Sequence, residues 1–393
     1  MCENDSRIMP RLGLLSTPQS GSGFPPRMQG QTSKELPFYK VGSLSKVGED
    51  GATNDSSNTI SIDQAHELKA KIIPSGSILL AKIGAALLLG RFVQTKFDCC
   101  IDNNMLALIP QEGVASRYLY YATCLIDVTY LENPGPVPTL DISGLAQVRI
   151  PLPPLPTQRA IADYLDRETA EIDGMRADLD EMERLLAERR QSIKSGHFDS
   201  PAAQSAVKVK YLATINTGSG DTQDAVQDGP YSFYVRSDKV LSSSQWDFKG
   251  PAVLTAGDGA GVGKIFHYAE GEFKVHQRVY CLHNFHNVDP LYFFNAFSYL
   301  LPKEVLYGGA SSTVPSLRMH MLEDLQIPLP PLAEQRRIAD EIDRETAEID
   351  SMLSDITKLR DLLSERRAAL ISAAVTGQID IPVSPPHKDE VHA

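Results

Sequence analysis

The chain has 393 residues, enough for two or three domains with cores of their own. Its 42% hydrophobic and 22% charged residues fit a globular protein, and its five cysteines, odd in number and without a CxxC pair, exclude a disulfide framework. The net charge of −12 excludes a uniformly basic surface, but it is unevenly spread: residues 1–150 carry −1 and 199–327 carry −3, while 151–198 and 328–393 carry −3 and −5. The polar start, MCENDSRIMPRLG, lacks the apolar region of a secretory leader, so a cytoplasmic protein is expected.

Residues 1–150 read as a first module. Short runs such as PFYKVGSL, KIIPSGSILLAKIG and FDCCIDNNMLALIP are rich in apolar and aromatic residues and are punctuated by Gly, Pro, Asp and Ser. That pattern predicts a mainly β core with a few helices. The most apolar run, Ser77 to Phe92, contains Lys82 and is too short to cross a bilayer; a buried pair of strands is expected there.

Residues 151–198 begin with PLPPL, where the prolines force an extended turn and a helix is expected to start near Pro156. A seven-residue stripe follows: Leu165, Ile172, Leu179, Leu186 and Ile193. Ile161, Met175 and Met182 partly fill a second stripe. Residues 199–327 form a second module, with the runs YSFYVRSDKV, PAVLTAGDGAGVGKIFHYAEGEF and HQRVYCLHNF. Residues 328–377 then repeat the helix. Its start is expected near Ala333, its stripe is Ile342, Ile349, Ile356, Leu363 and Leu370, and Ile338, Met352 and Leu359 match the second stripe. Residues 378–393 are expected to form a flexible tail.

The repeat is explicit. Pro151–Ile193 and Pro328–Leu370 align at an offset of 177 without a gap and agree in 25 of 43 positions. The match extends upstream, where Val137-Pro138-Thr139-Leu140 faces Val314-Pro315-Ser316-Leu317. Five heptads with charged flanks predict a coiled coil, and forty residues of helix would span about 60 Å. A bundle or a homodimeric coil would show the same stripe. The duplication favours an antiparallel pair within one chain, related by an approximate twofold and holding one module at each end. The modules match only in landmarks: Ile78–Gly84 (ILLAKIG) resembles Val253–Gly259 (VLTAGDG), and Val41-Gly42-Ser43 resembles Val235-Arg236-Ser237.

Catalytic signatures are missing. GDGAGVGK, Gly257 to Lys264, has Asp258 where a phosphate loop needs Gly and Ile265 where it needs Ser or Thr. It reads as a Gly-rich hairpin with Lys264 at its base. Cys281, His283 and His286 cannot share one face of a strand, so a metal site is not expected. There is no HExxH or GxSxG, and Asn133-Pro134-Gly135 is not an amino-methyltransferase signature. Asp166, Glu171, Asp173 and Glu188 read as solvated or salt-bridged helix faces.

Two copies of PLPPL-x-x-Q-R-x-I-A-D, each followed by a helix ending in LL-x-ERR, with Ala374-Val375-Thr376-Gly377 at the close, resemble the specificity subunit of type I restriction–modification systems. Gly84 with Asp102-Asn103-Asn104, and GDGAGVGK with His276-Gln277-Arg278, resemble that family's target recognition domains. The resemblance runs from about Leu12 to Gly377. It implies an α+β chain of two tandem mainly-β target recognition domains joined by two long helices in an antiparallel coiled coil. Each domain would read half of a split site in double-stranded DNA, and the helices would dock two methyltransferase subunits and the endonuclease subunits. The chain itself would be non-catalytic and hold no metal, with S-adenosylmethionine, ATP and Mg²⁺ belonging to those partners. Arg and Lys suit guanine edges and phosphates, Asn and Gln suit adenine. The resulting DNA-contact candidates are Lys40, Ser43, Lys82 and Arg91 in the first module and Arg236, Ser237, Lys239, Lys264, His276, Gln277 and Arg278 in the second. Ser311-Ser312-Thr313 would cap or touch backbone phosphate. The competing reading is a coiled-coil adaptor whose two heads bind proteins.

Overall fold

The computed structural model describes residues 8–48, 50–199, 206–307 and 316–382. Cys2 and Ser311–Thr313 lie outside the described residues. Packing divides the chain into two units, residues 1–179 with 358–393, and residues 180–357.

In the first unit the elements are α1 (Leu12–Leu15), β1 (Ser16–Ser20), β2 (Leu36–Tyr39), β3 (Ala52–Thr53), β4 (Thr59–Ile60), α2 (Ile62–Glu67), β5 (Ile78–Ala81), α3 (Ala85–Leu88), β6 (Val93–Thr95), β7 (Cys100–Ile101), β8 (Met105–Pro110), α4 (Ser116–Thr123), β9 (Glu132–Asn133), β10 (Thr139–Leu140), α5 (Ile142–Gln147) and the first part of α6 (Leu155–Phe198). One sheet runs β1-β8-β5-β6-β3 and a second β4-β2-β7. β5, Ile-Leu-Leu-Ala, is buried at every position, as a strand paired on both sides and packed on both faces should be.

The Ser77–Phe92 run is a strand and a short helix, not the expected pair of strands. Gly84 turns the chain at φ +81°, and the following Ala-Ala-Leu-Leu contains no β-branched residue and coils as α3. The return strand is β6, beyond the run.

The second unit holds the rest of α6, then β11 (Ala206–Lys208), β12 (Thr214–Thr217), β13 (Tyr231–Tyr234), β14 (Leu241–Ser243), β15 (Phe248–Lys249), β16 (Ala252–Ala256), β17 (Phe266–Ala269), β18 (Glu272–Val275), β19 (Val279–His283), α7 (Pro290–Tyr307), α8 (Met319–Asp324), β20 (Gln326–Pro328) and the start of α9 (Leu332–Thr376). Its main sheet runs β12-β19-β16-β17 and its second β14-β13-β18-β15. Apart from the edge strands β3 and β15, which have no counterpart, the pairing is that of the first unit. The pairs β1–β8, β8–β5 and β5–β6 correspond to β12–β19, β19–β16 and β16–β17, all antiparallel. The parallel pair β2–β7 corresponds to β13–β18.

Both long helices start one residue before the expected positions, and each begins directly after its Pro-rich turn. Within each unit the two helices run antiparallel. In the first, Leu165 and Leu370 share the core, and Arg367 pairs with Asp173 at 2.7 Å. In the second, Ile193, Ile342 and Ile349 share the core, and Arg189 and Arg190 pair with Glu345 and Asp350. Of the main stripe, Leu165, Ile172, Ile193, Ile342, Ile349 and Ile356 are buried, while Leu179, Leu186, Leu363 and Leu370 are half-buried. Burial of one such side chain stabilises by roughly 1.5–3 kcal/mol. The second stripe is buried only in its first turn, at Ile161 and Ile338. Met175, Met182, Met352 and Leu359 are exposed, as are Leu185 and Leu362.

Gln158 and Gln335, the glutamines of the two PLPPL-x-x-Q motifs, are buried and fasten each helix to its module in the same way. Gln158 Oε1 accepts from the Ala115 N–H at the start of α4, while its Nε2 donates to the Pro153 and Gly113 carbonyls. Gln335 Oε1 accepts from the Asp289 N–H before α7, and its Nε2 donates to Pro330 and Asn287. Tyr118 and Tyr292 complete the match by donating to the Pro151 and Pro328 carbonyls. At its far end α9 closes on Gly377 (φ +77°), with Gln378 N–H bonding the Ala373 carbonyl and Gly377 N–H the Ala374 carbonyl. Ile379 and Ile381, in the stretch expected to be a flexible tail, pack on the first unit's core.

Candidate nucleic-acid interface

Each unit builds the same backbone frame at one end of its main sheet. Gly21 and Gly218 sit where a Cβ would run into the carbonyls of Ile101 and Val275, so only glycine lets β1 and β12 pass that close to the end of β7 and β18. The tight turns leading into β8 and β19 then coincide. Asp102 N–H bonds the Tyr39 carbonyl as His276 N–H bonds that of Tyr234. The Asp102 side chain accepts from Asn104 N–H at 2.9 Å, and His276 Nδ1 accepts from Arg278 N–H at 3.1 Å. Opposite them, Lys82 N–H bonds the Asn104 carbonyl and Gly257 N–H the Arg278 carbonyl. Ile83 bridges Thr139 as Asp258 bridges Ser316, and Gly84 and Gly259 both take positive φ. Asn103-Asn104 thus stands where Gln277-Arg278 stands, and Ile83 where Asp258 stands.

In the second unit this frame carries a charged fork. Arg236 Nη1 donates to Asp258 Oδ1 at 2.7 Å, and Arg278 Nη1 to Asp258 Oδ2 at 2.9 Å. The Arg236 hydrogen bond, followed by that of Arg278, holds the Asp258 carboxyl below the usual carboxylate range. Beside the fork lies a cleft of about 400 Å³ lined by Thr222, Arg236, Ser237, Asp258, the Gly259–Gly261 turn and His276. Gln277 is exposed, and its Nε2 donates to Asp221 at 3.1 Å. Ser237 is exposed and donates to the Lys239 carbonyl. Lys239 and Lys264 are exposed and have no carboxylate partner among the described residues; Lys264 does not line the cleft.

His276 is 3% exposed, so as a base contact it is corrected: its ring is the internal strut of the turn. Burial, then the Arg236 cation, lowers its pKa and favours the neutral ring that accepts the Arg278 N–H. Cys281 is buried, its pKa pushed up to about 12 by desolvation, and His283 bonds Asn216; no metal-holding group of His, Cys, Asp or Glu occurs among the described residues.

The first unit's frame is differently furnished. Lys40 is half-buried and donates to Gln29 at 3.0 Å, and Lys82 is half-buried and reaches Ser20 at 3.3 Å. Arg91 is exposed, in the loop before β6, and among the described residues no hydrogen bond joins it to the other candidates. Ser43 is corrected as a DNA contact: it is 2% exposed and donates to Asp55 at 2.7 Å, which also takes Lys46 at 2.9 Å. At the frame's tip Asn103 is exposed and Asn104 half-buried; both lie in the Asp-Asn-Asn run and neither is among the expected contacts. In the sequence Asp258 stands out only as the residue that spoils a phosphate loop. Matching DNNM to HQRV, strand start to strand start, is the signal that finds Asn103 and Asn104, and matching ILLAKIG to VLTAGDG sets Asp258 opposite Ile83. Of the helix carboxylates, Asp166 pairs with Arg117 at 2.5 Å, Asp173 with Arg367 and Glu188 with Arg184, while Glu171 is exposed.

Residues 26–184 and 206–358 each match the type I restriction modification DNA specificity domain family. Among characterised proteins, the specificity subunit of the Escherichia coli type I restriction enzyme EcoDI is 28% identical over 183 residues, covering 46% of this chain and 39% of that subunit. The EcoBI specificity subunit of the same organism is 40% identical over 70 residues, 18% of this chain and 15% of the other. These matches span well under half the length of either subunit. A chain from a solved study of type I R-M complex assembly and conformational transition superposes with a TM-score of 0.73 at 16% identity, covering 96% of this chain and all of the other. The HsdS subunit from Thermoanaerobacter tengcongensis gives 0.51 at 17% identity, covering 96% and 99%. At these identities the superpositions establish the fold.

Proposed function

The chain belongs to the type I restriction–modification DNA specificity family, and from that premise we propose that it is the sequence-reading subunit of such a complex. Each module reads one half of a bipartite target in double-stranded DNA. The observation that carries this reading is the frame described above: two modules with one topology and different polar residues at equivalent, outward positions. Methyltransferase subunits, two per chain, and endonuclease subunits dock on the helices. There the exposed Met175, Leu359 and Leu362 of the first unit and Met182, Leu185 and Met352 of the second supply apolar surface. The chain performs no chemistry of its own; S-adenosylmethionine, ATP and Mg²⁺ enter with the partners. Its acidic helices make those partners, and not this chain, the main source of phosphate contacts.

The test is module exchange. Replacing residues 1–150 with the corresponding module of another specificity subunit, and co-expressing the hybrid with the methyltransferase, should change one half of the methylated motif and leave the other intact. Change in both halves would overturn the one-module, one-half-site reading. Absence of salt-dependent duplex binding by the complex would leave the protein-binding adaptor in its place.

A further inference from the structure

Resting on the specificity-subunit reading, we propose that Arg278 reads a guanine in the second module's half-site, with Asp258 as the positioning residue that aims it. Asp258 engages Nη1 of both guanidiniums. Among the described residues nothing else bonds their side-chain N–H groups, so the Nε–Nη2 edge of each remains open. Two parallel N–H groups on that edge match guanine O6 and N7 in the major groove. The backbone under Arg278 is fixed on both sides. Its N–H is held by His276 Nδ1 and its carbonyl by Gly257 N–H, while Gln277 N–H bonds the Gly220 carbonyl. An arginine on such a turn loses little freedom on binding.

The charge balance separates a base edge from a phosphate. Two guanidiniums and one carboxylate leave the fork at +1 with an anion at its centre. A phosphate clamp gains from every uncompensated cation and loses from a carboxylate. A base reader needs direction more than charge, and a carboxylate shared by two guanidiniums supplies direction. The first module has no counterpart: Ile83 replaces Asp258, and Asn104 replaces Arg278. Its half-site is the internal control.

The experiment maps methylated motifs by long-read sequencing in a methylation-free host carrying the methyltransferase partner and this chain. The wild type should mark a bipartite motif with a required guanine. Arg278→Gln should relax that one position, with a 10- to 100-fold lower preference for the cognate duplex over the same duplex substituted there, and leave the other half-site unchanged. Arg278→Lys keeps the charge but not the edge and should relax the same position, which separates base reading from a general loss of folding or of phosphate attraction. Asp258→Asn should move the same position less, without changing the other half. If both Arg278 variants keep the guanine requirement, or every base of the half-site loosens together, the fork proposal is overturned while the specificity-subunit reading stands. If the wild-type complex marks no bipartite motif, the functional reading itself fails and the proposal with it.

Discussion

The two modules agree where backbone meets backbone and differ where side chains face outward. Their sheets share one order of strands apart from the edge strands β3 and β15, their glutamine latches bond corresponding groups, and Gly21 and Gly218 fill the same close approach. Yet the corresponding turns carry Asp-Asn-Asn in one and His-Gln-Arg in the other, and the residue facing the turn is Ile83 in one and Asp258 in the other. The turn itself explains how. It needs only a side chain at its first position that accepts from the N–H two residues on, and both Asp102 and His276 do this. The side chains at the next two positions take no part in closing the turn and can differ between the modules.

The sharpest way to break this comparison is at the glycines. Gly21→Ala and Gly218→Ala should each destabilise their own unit by about 4 kcal/mol or more, because a methyl group there meets carbonyl oxygen and the strand must withdraw. Thermal unfolding measures the loss. A tolerated substitution at one site and not the other would show that the frames are not equivalent.

A smaller and more local effect is expected at the latches. Gln158→Ala strands the Ala115 N–H and the Pro153 and Gly113 carbonyls, and should cost roughly 2–3 kcal/mol, with Gln335→Ala costing a similar amount. Hydrogen exchange should show the first variant loosening α4 and the second α7, each leaving the other unit protected. Loosening of both units by either variant would contradict two separate latches.

The long helices and their antiparallel partnership were legible because the repeat is gapless and the stripe is long. The module topology was not, because its strands are two to six residues long and their partners are distant: β5 pairs with β8, and β2 with β7 some sixty residues on. Burial was the other blind spot. Ser43 and His276 are polar residues in turn-like contexts, and only the packing of Asp55 and of the β19 turn reveals that they point inward. Conversely Asp258 looked like a defect in a phosphate motif because its two arginine partners lie twenty or more residues away in sequence.

The helix copies hold a finer contrast. At the 177-residue offset Lys194 faces Ile371, which is buried in the first unit's core. Lys194 donates to Ser298 at 3.0 Å and lies over the Phe294 ring. Burial, followed by the Arg190 cation, brings its pKa down from 10.5 to about 8. A lysine whose folded pKa is depressed binds fewer protons in the folded than in the unfolded chain between pH 8 and 10.5. Stability therefore rises with pH through that window, and the contribution is lost as pH falls through 8. Lys194→Met, which supplies an apolar side chain as at Ile371 of the other copy and leaves Ser298 bonded to the Asn295 carbonyl, should stabilise the chain at pH 7 by about 1–2 kcal/mol. The gain should shrink as the pH is raised from 8 toward 10, where the lysine is neutral in the folded chain. Denaturant unfolding of both proteins at pH 7 and at pH 9.5 measures this difference. A gain that stays constant with pH would mean that Lys194 is no more desolvated than a surface lysine, and that the second unit tolerates a charge where the first requires isoleucine.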